Sequence, residues 1–383
     1  MITILLSASE PSGDALGAAL MRALRAEAGQ VRFIGGGGPL MRAEGLEGAI
    51  STEKLAVMGP ADTLAAVPRA FAIAKDLVDL AVRHRPDAAV LIDSWTFSKA
   101  LATRLRRKLP HLPLVKFGVP QVWASRPERA ATAAALFDRL FCLLPFEPKH
   151  FPDAGERAVF VGNPNFQETS RRPRSGPSFR ARHDIGDAPL LLILPGSRSG
   201  EVKRLLPVFG ETLEELCRKI RGLRVAVIVA PAVEEKVRQD TNGWPCEPML
   251  VGPEERFDAF DAGDVALAAS GTVTTELALT GTPMVVTYKL GPLVAAWARR
   301  VVTTPYVTVL NVAAGDMVIP ERLQAECEPQ QLSADISRLL NDDEARRQQI
   351  SAFRRLLPTL LGSRDAAEVA AEGILRLIDD KHR

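Results

Sequence analysis

No uninterrupted apolar stretch in this 383-residue chain reaches the length a bilayer-crossing helix needs. The first residues, Met1 to Asp14, have neither a basic start nor a long enough apolar run for a secretory signal. The expected location is therefore cytoplasmic, with any membrane contact peripheral. Cysteine is scarce as well. Cys142, Cys217, Cys246 and Cys327 lie far apart, with no CxxC pair and no nearby histidine, so they read as reduced thiols rather than a disulfide frame or zinc site. An excess of either charge is also missing: the formal net charge is +2, which argues against binding driven by nucleic-acid phosphates. The basic clusters Arg104, Arg106, Arg107, Lys108 and Arg171, Arg172, Arg174 read as solvated faces, although anionic lipid headgroups also suit them.

Several catalytic signatures are absent. There is no Walker lysine motif and no GxGxxG after the first strand. No Asp-x-Asp pair occurs, so a metal-held sugar diphosphate lacks its usual ligands, and neither metal nor cofactor is expected. None of the five histidines (His84, His111, His150, His183, His382) lies in a Gly-rich turn, which turns attention away from histidine catalysis.

What is present is a large soluble core, with 46% hydrophobic and 25% charged residues, in a chain comfortable for two domains. Apolar runs at Ile2–Ser7, Val31–Ile34, Ala88–Ile92, Leu114–Phe117, Arg139–Leu143 and Ala158–Val161 alternate with helical patterns. One of those, Asp62–Val82, places Leu64, Val67, Phe71, Leu77 and Leu80 on its inner face. The four glycines Gly35–Gly38 read as a tight turn. Further strands are expected at Leu190–Leu194, Arg224–Val229, Met249–Val251, Val265–Ala268 and Met284–Thr287. Such alternation predicts an α/β fold of parallel, doubly wound sheets. The expected division is a first domain over 1–168, a Pro/Gly-bearing linker over 169–189, a second domain over 190–345 and a helical tail over 346–383.

The chemistry gathers at strand-to-helix turns. Leu190–Leu194 stops at Pro195-Gly196-Ser197-Arg198, and Glu201 opens a long amphipathic helix. Backbone N–H groups and a positive helix end then meet at one point, where Arg198 adds a planar charged fork suited to phosphate. An ordinary turn with a surface arginine is the alternative. A second turn of this type, Ser270-Gly271-Thr272 with Glu276 a turn later, favours a nucleotide diphosphate in the second half. Glu276 is placed to accept hydrogen bonds from ribose hydroxyls, or else is a surface helix glutamate. Asp93, directly after a buried strand, is the candidate general base; its other reading is a helix cap. Ser12 and Ser197 have no triad context and read as hydrogen-bond donors.

Many motifs in order resemble those of lipid-A-disaccharide synthases. They include Glu10-Pro11-Ser12-Gly13-Asp14, Gly38-Pro39-Leu40-Met41, Leu55-Ala56-Val57-Met58-Gly59, Ile92-Asp93 and Val122-Trp123-Ala124. Leu144-Pro145-Phe146-Glu147, Leu194 to Arg198 with Glu201, Ser270 to Thr272 with Glu276, Pro283 to Val286 with Tyr288, and Tyr306-Val307 with Asn311 extend the match. The resemblance implies a GT-B glycosyltransferase with two Rossmann-like domains facing an interdomain cleft. It implies transfer of 2,3-diacylglucosamine from its UDP derivative to 2,3-diacylglucosamine 1-phosphate, with inversion. It also implies a peripheral enzyme of the cytoplasmic face of the inner membrane, able to form a homodimer. Carried over by position, Asp93 matches the base, while Glu10 and Ser12 match the N-terminal active-site loop. Gly196, Ser197, Arg198, Ser270, Gly271, Thr272, Glu276 and Asn311 match the UDP site. Ser125 and Asn163-Pro164 depart from the family pattern on the acceptor side. A UDP-sugar 2-epimerase and a paralogous transferase acting on another lipid are the competing expectations.

Overall fold

The computed structural model describes residues 1–52 and 63–382, in two compact units: Met1–Glu168 with Thr359–Arg383, and Thr169–Pro358. The first unit begins β1 (Ile2–Ser7), α1 (Pro11–Ala28), β2 (Val31–Gly37), α2 (Pro39–Ala43), β3 (Glu47–Ser51) and α3 (Thr63–His84). It continues with β4 (Ala88–Ile92), α4 (Trp95–Lys108), β5 (Leu114–Phe117), α5 (Arg129–Leu136), β6 (Arg139–Cys142) and β7 (Ala158–Phe160). Among the described residues these strands form one parallel sheet in the order β3-β2-β1-β4-β5-β6-β7.

After α6 (Pro164–Arg171), the second unit carries α7 (Gly176–Arg182), β8 (Leu190–Leu194), α8 (Ser199–Lys219), β9 (Arg224–Ile228), α9 (Glu234–Asp240) and β10 (Met249–Val251). Next come α10 (Arg256–Ala262), β11 (Val265–Ala269), α11 (Val273–Thr280), β12 (Met284–Tyr288), α12 (Pro292–Val301), α13 (Val309–Ala314) and β13 (Glu321–Leu323). The order in this parallel sheet is β10-β9-β8-β11-β12-β13. Helices α14 (Pro329–Asn341), α15 (Asp343–Leu361) and α16 (Ala366–His382) end the chain. The α/β expectation of two parallel sheets holds.

Strands β4, β8 and β11 are buried along their whole length. Helices cover both faces, so these strands read as continuous apolar runs rather than alternating ones. In the first unit Leu16, Leu20 and Leu24 of α1 pack with Ala370, Ala371 and Ile374 of α16 on one face. Leu77 of α3 joins Leu101 and Leu105 of α4 on the other.

One backbone device recurs three times. Asp87, Asp138 and Asp264 each stand immediately before a strand. Their carboxylates accept the backbone N–H of Thr3, Leu114 and Leu190 at 2.7, 2.8 and 2.8 Å. Their own N–H groups donate back to the carbonyls of the same three residues. Each pair closes the starting edge of two neighbouring strands.

Four expectations change. The glycines Gly35–Gly37 lie inside β2 rather than in a turn. A side chain at Gly35 would strike the Leu6 carbonyl of β1, and one at Gly38 would lie 2.5 Å from the Asp14 carboxylate. Phe71 is 52% exposed, with the Arg104 guanidinium over its ring, whereas Leu77 and Leu80 are buried as expected. Asp62 and the motif at 55–59 lie outside the described residues, as do the side chains of Leu64 and Val67. The reading of four reduced thiols is corrected for one pair, since Cys217 and Cys246 form a disulfide with Cα atoms 6.5 Å apart. They are 29 residues apart in sequence, and the chain after α9 returns to α8, where Trp244 packs against Gly210. Finally, β3 and β13 are short edge strands that no apolar pattern announces.

Asp14 shows how a motif residue can serve the fold alone. Its buried carboxylate accepts the N–H groups of Gly38, Leu40 and Met41 at 2.9, 2.9 and 3.1 Å, closing the open end of α2. Asp14→Ala leaves these donors without their acceptor and is expected to cost about 2–3 kcal/mol. Urea unfolding measures this, and a loss well under about 1 kcal/mol would contradict the assignment.

Candidate functional site

In the first unit, Asp93 stands at the end of β4 with φ +52, followed by Ser94 with φ +28. Two successive non-glycine residues in the left-handed region are costly, and the surrounding bonds hold them there. The Asp93 N–H donates to the Phe117 carbonyl at 2.9 Å, and the Ser98 hydroxyl donates to the Asp93 carbonyl at 2.9 Å. The carboxylate accepts the Ser12 hydroxyl at 3.1 Å. Helix α4 takes Ser94 as its N-cap without a side-chain cap bond, so the helix-cap reading of Asp93 has no support. Gly13 lets the first turn of α1 close on this point, because a side chain there would lie 3.3 Å from the Asp93 Cβ. Glu10 is the exposed residue that opens α1, and its carbonyl accepts the Asp14 N–H at 2.9 Å.

Around this turn, Asn165 donates to the Ser12 carbonyl at 3.3 Å, and Asn163 accepts the Asn165 N–H at 3.0 Å. The departure at Asn163 therefore sits one residue contact from Ser12. Glu147 is buried, accepting the N–H groups of Leu143 and Leu144 at 2.9 and 3.1 Å and the Trp123 indole N–H at 3.3 Å. Phe146 meets the Trp123 ring edge-on. Two motifs of the sequence thus form one buried brace. Beneath Asp93 lies a residue the motifs do not single out, Lys116 of β5, with no exposed surface. Its sequence signal is a charge inside the apolar strand Leu114–Phe117.

In the second unit, β8 and β11 are paired with Leu194 opposite Ala268, which sets the two turns side by side at one sheet edge. Gly196 has φ +100, and a side chain there would lie 2.6 Å from a Glu201 oxygen. Arg198 opens α8 with 75% of its side chain exposed and meets Glu201 at 3.2 Å. The same Glu201 oxygen accepts the Tyr288 hydroxyl at 2.9 Å. Burial, with the Glu201 carboxylate alongside, pushes that phenol above its ordinary pKa. Glu201 thus ties Arg198 to the end of β12. Ser197, Gly271 and Thr272 are exposed at the two helix starts. The space where a Gly271 side chain would stand is open.

Ser270 donates its N–H to Thr287 at 3.1 Å and its hydroxyl to the Val307 carbonyl at 3.4 Å. Glu276 is half-buried and paired with Arg256 at 3.6 Å; burial raises its carboxyl pKa and Arg256 opposes the rise. Asn311 is fully buried, with its amide group bonded to Ile319 and Glu321. Glu321 also accepts the N–H groups of Val307 and Thr308, both at 2.9 Å. Asn311 therefore braces the loop that Ser270 touches. Glu321, in a strand that no pattern announces, carries that brace.

Comparison with known proteins adds a family. The family model described as lipid-A-disaccharide synthetase matches residues 4–372. A lipid-A-disaccharide synthase of Rhodospirillum centenum is 40% identical over 381 residues, covering 98% of this chain and 95% of the relative. One of Bradyrhizobium diazoefficiens is 38% identical, with 97% and 95% covered. Among solved structures, a UDP-GlcNAc 2-epimerase of Neisseria meningitidis bound to UDP-GlcNAc aligns with TM-score 0.67 at 13% identity, covering 98% of this chain and 100% of that one. A glycosyltransferase of Rickettsia africae aligns with TM-score 0.57 at 12% identity, covering 100% and 99%. At such identities the solved structures speak for the fold.

Burial raises the Glu147 carboxyl from 4.5 to about 7, against the pull of the Leu144 N–H, the Trp123 indole and the Leu143 N–H. Between those pH values the folded chain holds a proton that the unfolded chain has released, so this group's contribution to stability falls as pH rises. The unfolding free energy of Glu147→Gln relative to wild type should move in the variant's favour from about pH 4.5 to about pH 7. A flat difference across that window, measured by urea melts, would contradict it.

Proposed function

The chain belongs to the lipid-A-disaccharide synthase family, and from that premise we propose which residues carry its reaction. The chain is a hexosyltransferase of lipid A disaccharide synthesis: a diacylglucosamine leaves UDP for an acylated glucosamine 1-phosphate. The second unit binds the UDP donor. The N–H groups at the starts of α8 and α11, with Arg198, take up the diphosphate charge as it grows. Glu201 aims Arg198, Glu276 accepts from the ribose hydroxyls, and Asn311 acts through the Val307–Thr308 loop that it braces. The observation that carries this assignment is the pairing of β8 with β11, which brings both exposed helix starts to one edge beside Arg198.

Asp93 serves as the base. It takes the proton of the acceptor 6-hydroxyl as that oxygen bonds to the sugar C1. The bond from C1 to the diphosphate oxygen breaks on the opposite face, its electron pair leaves with UDP, and the configuration inverts. Ser12 holds the carboxylate until the acceptor hydroxyl replaces it, and Glu10 borders the same turn. A 2-epimerase reading has the fold neighbours behind it, but they share 12–15% identity while the synthases share 37–40%. Among the described residues no helix is long and apolar enough to cross a membrane. Work on acylated sugars at the cytoplasmic membrane face is accordingly proposed as a surface contact.

Asp93→Ala is expected to lower kcat by about 10²- to 10⁴-fold in disaccharide formation from purified donor and acceptor. Near-normal turnover would remove Asp93 from its role. Arg198→Ala is expected to weaken UDP binding by about 10- to 100-fold in calorimetry, and unchanged affinity would remove the diphosphate clamp. Flotation with anionic vesicles checks the surface contact: protein left wholly at the bottom of the gradient contradicts it.

A further inference from the structure

Lys116 is an expensive residue where it stands. An ammonium wholly out of water costs several kcal/mol unless its hydrogens are met, and the rest of β5 is Leu, Val and Phe. Among the described residues its hydrogen-bond partners are all backbone carbonyls, at the end of the sheet where the Asp93 turn begins. The Nζ donates to the carbonyls of Asp93 at 2.5 Å, Leu91 at 3.3 Å and Phe117 at 3.4 Å. Three carbonyls match the three hydrogens of an ammonium, whereas a neutral amine offers two hydrogens and a lone pair.

The Asp93 carbonyl is thereby gripped twice, by Lys116 and by the Ser98 hydroxyl. Its N–H is bonded to Phe117, whose own carbonyl also receives Lys116. The peptide on either side of the Asp93 Cα is fixed in a left-handed shape that this residue would not otherwise keep. Fixing that shape fixes the direction of the carboxylate.

We propose that Lys116 is a positioning residue for the transfer, its ammonium holding the Asp93 turn in the shape that presents the carboxylate as base. The proposal rests on Asp93 being that base. The charged groups facing Lys116 are Asp93 from the turn after β4 and Glu10 from the start of α1; across the ladder from β6 stands the apolar Leu140. Burial lowers the Lys116 pKa to about 7, with Asp93 and Glu10 opposing the fall. Above that pH the amine turns a lone pair on one of the three carbonyls, the turn loses a tie, and kcat declines.

The experiment measures kcat and KM against pH for wild type, Lys116→Met, Lys116→Arg and Asp93→Asn. Expected for Lys116→Met is a folded protein by circular dichroism with kcat down about 10- to 100-fold, donor KM within about twofold, and no decline of kcat on the basic side. Lys116→Arg keeps its charge and recovers part of kcat, with the basic decline moved upward. A Lys116→Met enzyme within about twofold of wild-type kcat, or one keeping the wild-type basic decline, overturns the proposal. Should that variant not fold, wild type alone decides: a kcat that does not fall between about pH 6.5 and 9 overturns it. Asp93→Asn separates the two ideas. If it is active, the base assignment fails; if it is inactive while Lys116→Met is active, only the role of Lys116 fails.

Discussion

A parallel sheet leaves peptide groups without ladder partners at both ends of every strand, and each buried one must find a partner elsewhere. Several charged side chains of this chain meet such groups. At the starting edge, Asp87, Asp138 and Asp264 each accept an N–H from the first or second residue of a neighbouring strand. At the finishing edge of the first sheet, Lys116 takes three carbonyls and Glu147 takes the N–H groups of Leu143 and Leu144; in the second unit Glu321, the first residue of β13, takes those of Val307 and Thr308 ahead of α13. An unpaired buried amide or carbonyl costs about 1–3 kcal/mol, so these side chains are part of the fold before they are part of any site.

The same constraint explains how the sites are held. The turn after β4 leaves the ladder abruptly, through the two left-handed residues Asp93 and Ser94. Such a turn keeps its shape only while its carbonyl and N–H are bonded from outside. In the second unit the equivalent supports are Glu201 beneath Arg198 and Glu321 with Asn311 beneath the loop that Ser270 touches. In both units a buried charge lies below the residue proposed to act: Lys116 below Asp93, and Glu201 below Arg198.

Much of this was legible in the sequence where apolar runs end in turn residues: β1, β4, β5, β8 and β10 fall where the pattern places them. The two Gly/Ser turns and Asp93 were legible for the same reason, since a strand end followed by a helix start fixes where a side chain emerges. The rest depends on neighbours distant in sequence. Strand β13 contains Glu321 and Arg322, whose partners come from other elements. Gly35 of β2 answers to β1, Gly38 after it answers to Asp14, and Phe71 answers to Arg104 on the next helix. Cys217 and Cys246 meet because Trp244 packs on a glycine of α8. Lys116 is visible as a violation of the apolar pattern, but the violation alone does not say which carbonyls it serves.

Counting acceptors separates structural acids from those able to act. Asp14, Glu147 and Glu321 each accept at least three hydrogen bonds from within the protein. A substrate hydroxyl would have to displace these donors to reach the carboxylate. The Asp93 carboxylate instead meets the Ser12 hydroxyl alone among the described residues, and a hydroxyl can rotate to serve another acceptor. The backbone of Asp93 is tied from three directions, so its own peptide is in no position to compete for the carboxylate. A rigid main chain with a lightly engaged side chain is the combination that a general base requires.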